Sequence, residues 1–232
     1  MVDITGNCQR VMEAIADVAA RSGRDPQQVK LLAATKTQPA SAVRAAIEAG
    51  VRLVGENYVQ EAQAKKEAVG GMAEWHLIGH LQSNKARAAL GLFSVIQSLD
   101  NLRLARILDR EARERNCDVD VLMEVNLAGE RSKTGVAEEG LAPLLREVSG
   151  LSRIRVKGLM IVPPFAEDPE ASRPYFRKLR ELRDSLNQLG LPNVALEELS
   201  MGMTHDYRVA VAEGSTLVRV GTALFGPRSP LK

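Results

Sequence analysis

A lysine closes the run Leu-Leu-Ala-Ala-Thr-Lys at positions 31–36, and Pro39 follows three places later. A short apolar run bounded in this way is predicted to be a buried strand, with the proline near the first turn of the next helix. Side chains alternate along a strand, so Leu32, Ala34 and Lys36 share a face. An amine that follows two apolar neighbours inward must find a partner or give up its charge. Burial lowers an amine's pKa, and such an amine is a nucleophile toward carbonyls. The plainer reading is a lysine that reaches solvent where the strand ends.

Two further stretches carry groups that could hold a ligand. Ser200-Met-Gly-Met-Thr204 precedes His205-Asp206, and Leu217-Val-Arg-Val-Gly-Thr222 lies close to the C-terminus. In the second, Leu217, Arg219 and Gly221 share one strand face and Val218 and Val220 the other. A guanidinium on that face keeps its proton. It is either a permanent cation aimed at a ligand acceptor or half of an internal ion pair, for which Glu56 and Glu124 are the candidates.

The elements that must position these groups alternate along the chain. Strands are predicted over 31–36, 52–57, 75–79, 93–97, 119–127, 155–162, 198–203 and 217–225. Helices are predicted over 41–49, 58–69, 83–90, 100–115, 138–148, 169–189 and 206–213, with an extra N-terminal helix at about 7–22. Strand and helix alternate at about 25–30 residues per unit, with no Gly/Ser-rich linker between units. Alternation of this kind means a parallel sheet, and eight units close into a single (β/α)8 barrel spanning residues 1–232. An open doubly wound sheet would favour a G-x-G-x-x-G loop after the first strand, which is absent. In a barrel the chemistry sits at the C-terminal ends of the strands, and the exits of strands seven and eight commonly hold a phosphate. A lone Ser-x-Gly reads as a tight turn. Two small, hydroxyl-rich exits on neighbouring strands, opposite a lysine, point to a phosphate.

Composition narrows the partners. Aromatic residues are 3% of the chain and the net charge of +2 is spread evenly, which argues against nucleic acid. No apolar run approaches the length of a membrane span, and the N-terminus lacks the pattern of a signal peptide, so a cytoplasmic protein is expected. Cys8 and Cys117 have no metal-ligand spacing, and no metal is expected. The loop Ser132-Lys-Thr-Gly135 fits neither a P-loop nor a β-lactamase motif, and Lys133 reads as a surface lysine.

An amine for an aldehyde, a cradle for a phosphate and a cation for a ring nitrogen together suggest pyridoxal 5′-phosphate (PLP). At these residues the chain resembles the pyridoxal phosphate homeostasis proteins, which look like the N-terminal barrel of alanine racemase. The resemblance is carried by Ala34-Thr-Lys-Thr-Gln-Pro39, Gly55-Glu-Asn-Tyr-Val-Gln-Glu61, Trp75-His-Leu-Ile-Gly-His-Leu-Gln-Ser-Asn-Lys85, Gly158-Leu-Met160, Leu199-Ser-Met-Gly-Met203 and Arg219-Val-Gly-Thr-Ala-Leu-Phe-Gly226. It implies that Lys36 forms the Schiff base and that Arg219 faces the pyridine nitrogen. It also implies that Ser200, Gly202, Gly221 and Thr222 hold the phosphate and that Asn57 lies beside the cofactor. His80 is given no role. Thr204 stands where relatives more often carry serine.

An arginine against the ring nitrogen leaves the pyridine neutral and a weak electron sink. In the alanine racemases a second acid/base group comes from a further β-domain, for which the six residues after Gly226 leave no room. The expectation is therefore a monomeric, cytoplasmic, non-catalytic PLP carrier that stores the cofactor or delivers it to apoenzymes. The alternatives are a low-activity amino-acid racemase and an aldolase in which Lys36 takes a phosphosugar.

Overall fold

The computed structural model describes residues 2–130 and 133–227. Ser132 and residues 228–232 of the C-terminal segment lie outside the described residues. Among the described residues the strands are β1 (Lys30–Ala34), β2 (Leu53–Glu56), β3 (Glu74–Leu77), β4 (Val95–Leu99), β5 (Val119–Val125), β6 (Ile154–Ile161), β7 (Val194–Met203) and β8 (Leu217–Val220). Each is parallel to the next, and β8 pairs back onto β1 to close the barrel. The helices are α1 (Ile4–Arg21), α2 (Ala40–Glu48), α3 (Val59–Val69), α4 (Ala86–Leu92), α5 (Leu102–Glu114), α6 (Glu138–Ser149), α7 (Arg173–Asn187), α8 (Tyr207–Ala212) and α9 (Thr222–Phe225).

The apolar stripes of the helices face the barrel. In α5, Leu104, Ala105, Leu108 and Ala112 are buried one above another. In α7, Phe176, Leu179 and Leu186 do the same. These side chains and the outward faces of the strands form the principal core. A second core joins α1 to β8, α8 and α9 through Cys8, Val11, Ile15, Val211, Val218 and Leu224. The extra N-terminal helix is therefore packed against the closing seam of the barrel.

Several boundaries move, each for a local reason. The first helix begins at Ile4 and not near residue 7, because Asp3 caps it by accepting from the Gly6 N–H at 2.9 Å. The cap of α5 is Asn101 and not Asp100, its side-chain oxygen accepting from Leu104 N–H at 2.9 Å. The seventh strand starts at Val194, ahead of the predicted 198. The last strand stops at Val220 instead of running to 225. At Gly221 the chain turns into α9, and this turn puts backbone N–H groups where a strand would have offered side chains.

The barrel interior is unusually polar. Leu32, Leu53 and Leu217 form a small apolar plug. Around it lie charged and amide side chains that bond to one another across the lumen.

Candidate functional site

Lys36 stands two residues beyond β1, in a turn at the C-terminal mouth, and is half-buried. The strand reading placed it as the last strand residue; the ladder continues only through Thr35, whose N–H donates to Gly55 O at 2.9 Å. The residues on either side of the lysine are held firmly. Thr35 is fully buried, its hydroxyl donates to Glu56 Oε1, and its carbonyl accepts from Lys65 Nζ at 2.7 Å. The Thr37 N–H donates to Glu61 Oε2 at 3.2 Å, and Thr37 adopts a left-handed φ of 65°. Lys65 binds Glu56 at 2.7 Å and Glu61 at 3.2 Å. One buried lysine and two carboxylates between the sheet and α3 thus fix the direction in which the chain leaves β1.

The register brings the other exits alongside. Ala34 pairs with Gly55 of β2, so Lys36 and Asn57 each stand two residues past a paired position at the same mouth. On the other flank Ala33 pairs with Val220, so Gly221 lies beside Ala34, whose carbonyl would be 3.3 Å from a Cβ at position 221. The exits of β2 and β8 therefore flank the exit of β1, beyond which Lys36 follows. Asn57 is half-buried, and its backbone packs on Gly79 so closely that a Cβ there would meet Asn57 O at 2.6 Å.

At the exits of β7 and β8 the Gly221 and Ala223 N–H groups both point at the Thr204 hydroxyl, each at a long 3.3 Å. Thr222 is exposed at the first position of α9. Gly202 has φ of +93°, and a Cβ on it would come within 2.5 Å of Ala210 Cβ, so it allows α8 to pack onto β7. Thr204 thus meets the Gly221–Ala223 turn where β7 and β8 end.

Ser200 sits elsewhere. It is fully buried inside the barrel, its hydroxyl donates to Gln97 Oε1 at 2.6 Å, and it accepts from Arg219 NH1 at 2.6 Å. Its only proton is already given to Gln97, while the Thr204 hydroxyl, just past β7, meets the N–H groups of Gly221 and Ala223.

Arg219 is 4% exposed and donates through NH2 to Ile161 O at 2.8 Å, at the C-terminal end of β6. Among the described residues it makes no ion pair. Glu56 faces outward to Lys65, and the Glu124 carboxylate accepts from Thr134 Oγ1 at 2.7 Å. Burial pulls the guanidinium down to about 10, against the opposing charges of Asp206 and Glu124. It stays a cation at neutral pH.

His80 is exposed, and Lys133 is tied to Glu130 at 2.7 Å and to Pro163 O at 3.2 Å. Reasoning from the sequence gave no role to Gln97, His76 or the ties of Lys65 to Glu56 and Glu61. Thr204 was legible as the hydroxyl nearest the helix that follows β7. Gln97 and His76 needed the barrel closed, and the Lys65 ties needed α3 folded back on β2. Among the described residues no cluster of His, Cys, Asp or Glu could hold a metal, and no helix is long and apolar enough to cross a membrane.

Residues 7–229 match the family described as the N-terminal domain of alanine racemase. The pyridoxal phosphate homeostasis protein of Aquifex aeolicus is 47% identical over 94% of this chain and 96% of its own length. That of Escherichia coli K12 is 40% identical over 98% of both. Among solved structures, PipY of Synechococcus elongatus PCC7942 with PLP bound superposes at a TM-score of 0.81, with 40% identity, over 91% of this chain and all of that one. Alanine racemase of Clostridium difficile 630 superposes at 0.73 with 14% identity, over 98% of this chain and 58% of that one, a likeness of fold.

Proposed function

Because the chain belongs to the pyridoxal phosphate homeostasis protein family, built on the alanine racemase N-terminal barrel, we propose that it binds PLP at the barrel mouth and stores or delivers it inside the cell. The observation that carries this reading is Arg219, a desolvated cation with no carboxylate partner among the described residues, on the strand next to β1. An unpaired buried charge is costly, and a ligand acceptor offsets that cost. A donor fork, a neighbouring amine and a pair of converging N–H groups match the three polar ends of PLP.

In this reading Lys36 would hold the aldehyde end of PLP through its amine. Thr204, Thr222 and the N–H groups of Gly221 and Ala223 hold the phosphate, with Gly202 giving the bend, and Asn57 lies beside the ring. Arg219 donates to the ring nitrogen and Ser200 steadies Arg219. The bound cofactor would supply an electrophilic carbon and a ring that withdraws electrons when its nitrogen is protonated. Arg219 holds its own proton at neutral pH, so it leaves that nitrogen neutral and favours custody over turnover. Apoenzymes that need PLP are the recipients this role implies.

The purified protein is expected to be yellow, with a visible band that borohydride abolishes by fixing the adduct to Lys36. Lys36→Ala should lose the band and the fixed adduct yet retain phosphate-driven affinity for PLP. A colourless protein that takes no PLP under saturating conditions refutes the proposal. The shared racemase fold favours a second reading, a low-activity amino-acid racemase. Enzymatic α-proton exchange in deuterated water, at rates well above those of free PLP, would select it.

A further inference from the structure

Beneath the mouth a single file of side chains crosses the barrel. Arg219 NH1 donates to Ser200 Oγ at 2.6 Å, and Ser200 Oγ donates to Gln97 Oε1 at 2.6 Å. Gln97 Nε2 lies 2.8 Å from His76 Nδ1, and His76 Nε2 lies 3.1 Å from Glu74 Oε1. Gln97 is on β4 and Ser200 on β7, so the bond between them passes through the lumen. His76, Gln97, Ser200 and Arg219 are all at most 5% exposed. Glu74 opens at the other end into a cavity of about 590 Å³ at the N-terminal face.

The direction of this file is dictated from both ends. A guanidinium only donates, so Ser200 must accept from it and pass its own proton to Gln97. That leaves the Gln97 amide with its N–H₂ toward His76, whose Nδ1 must then accept. Glu74, held at about 2 chiefly by the hydrogen bond from His76, also only accepts. The direction of the file therefore puts a proton on Nε2, toward Glu74.

We propose that Gln97 and His76 are positioning residues for Arg219: the oriented chain from Arg219 to Glu74 locks the guanidinium in place and, reciprocally, fixes the tautomer of His76 at the far end of the barrel. The purpose given to Arg219 rests on the PLP reading; the coupling does not. Protonating His76 on Nδ1 forces the Gln97 amide to turn, leaving Ser200 with two donors and no acceptor. Removing the Ser200 hydroxyl frees the amide to turn without that loss.

The test is nitrogen-15 NMR of the imidazoles in the apo-protein, with His76 assigned through His76→Phe. Wild type should show His76 as the neutral Nε2–H form. Ser200→Ala should raise its proton affinity about 3- to 10-fold, the worth of one hydrogen bond, and Ser200→Thr should return it to wild type. The charged groups facing His76 are Glu74 on its own strand, Lys30 of β1, Arg52 ahead of β2, Asp120 of β5, Lys157 of β6, and Glu197 and Glu198 of β7. All are common to the three proteins, so the comparison isolates the chain. A folded Ser200→Ala protein with an unchanged His76 titration overturns the proposal, as does an Nδ1–H tautomer in wild type. Should Ser200→Ala fail to fold, the wild-type tautomer decides the matter. PLP loading of wild type, read separately by its visible band, decides the functional reading without touching this one.

Discussion

Replacing Lys65 with methionine removes the cation beneath the Lys36 turn and leaves Glu56 buried without it. In the native protein the pair is separated by 2.7 Å, with the lysine side chain 11% and the glutamate 0% exposed, and Glu56 Oε2 has no hydrogen-bond partner among the described residues. Breaking a buried pair from one side costs about 3–5 kcal/mol. At about 2–4 °C per kcal/mol for a domain of this size, the melting temperature should fall by about 6–20 °C. The loss should depend on pH. Burial already raises the Glu56 carboxyl above its ordinary value of 4.5, and without Lys65 it rises further. A carboxyl that protonates more readily folded than unfolded makes the folded state the stronger proton binder, so stability grows as pH falls through the raised folded value toward 4.5. The deficit of Lys65→Met relative to wild type should therefore shrink on going from neutral pH to about pH 5. Adding Glu56→Gln should recover much of it at neutral pH. Lys65 also donates to the Thr35 carbonyl, so the variant should load PLP more weakly on Lys36. Thermal or urea unfolding at the two pH values is the assay. A neutral-pH loss below about 1 kcal/mol, or one that does not change with pH, refutes the account of how this turn is held.

Thr204→Val keeps the shape of the β-branched side chain and removes the hydroxyl that meets the Gly221 and Ala223 N–H groups. PLP affinity should fall by about 10-fold while pyridoxal, which lacks the phosphate, binds as before; equal loss for both by titration would place the phosphate elsewhere. Gly202→Ala demands a left-handed alanine and puts its Cβ 2.5 Å from Ala210 Cβ. It should destabilise by about 2–5 kcal/mol in denaturant unfolding, and a variant of wild-type stability would show that α8 is not packed as described.

Much of the site was legible before the fold was known. Lys36, Arg219 and Gly221-Thr222 stand where apolar runs end, and the two-residue period assigns each a face. Once the alternation implied a barrel, the C-terminal ends of the strands became the place to look. The period failed where the backbone departed from a strand. At Gly202 the positive φ breaks the alternation, so Ser200 and Thr204 point to different surroundings, one inward to Arg219 and one to the α9 N-terminus. At Gly221 the chain turns into a helix that no local pattern announced.

The order of elements, the parallel closed sheet and the chemical types at the mouth are properties of the chain read from end to end, because local periodicity and turn residues act over a few positions. Which carboxylate meets which cation is another matter. Glu56 pairs outward with Lys65 and leaves Arg219 without an anion, and the file from Arg219 through Gln97 to His76 joins strands far apart in sequence. The outward pair needs only α3 folded back on β2, whereas the file exists only once the sheet closes on itself, since barrel closure brings the inward side chains of β3, β4, β7 and β8 within hydrogen-bonding reach.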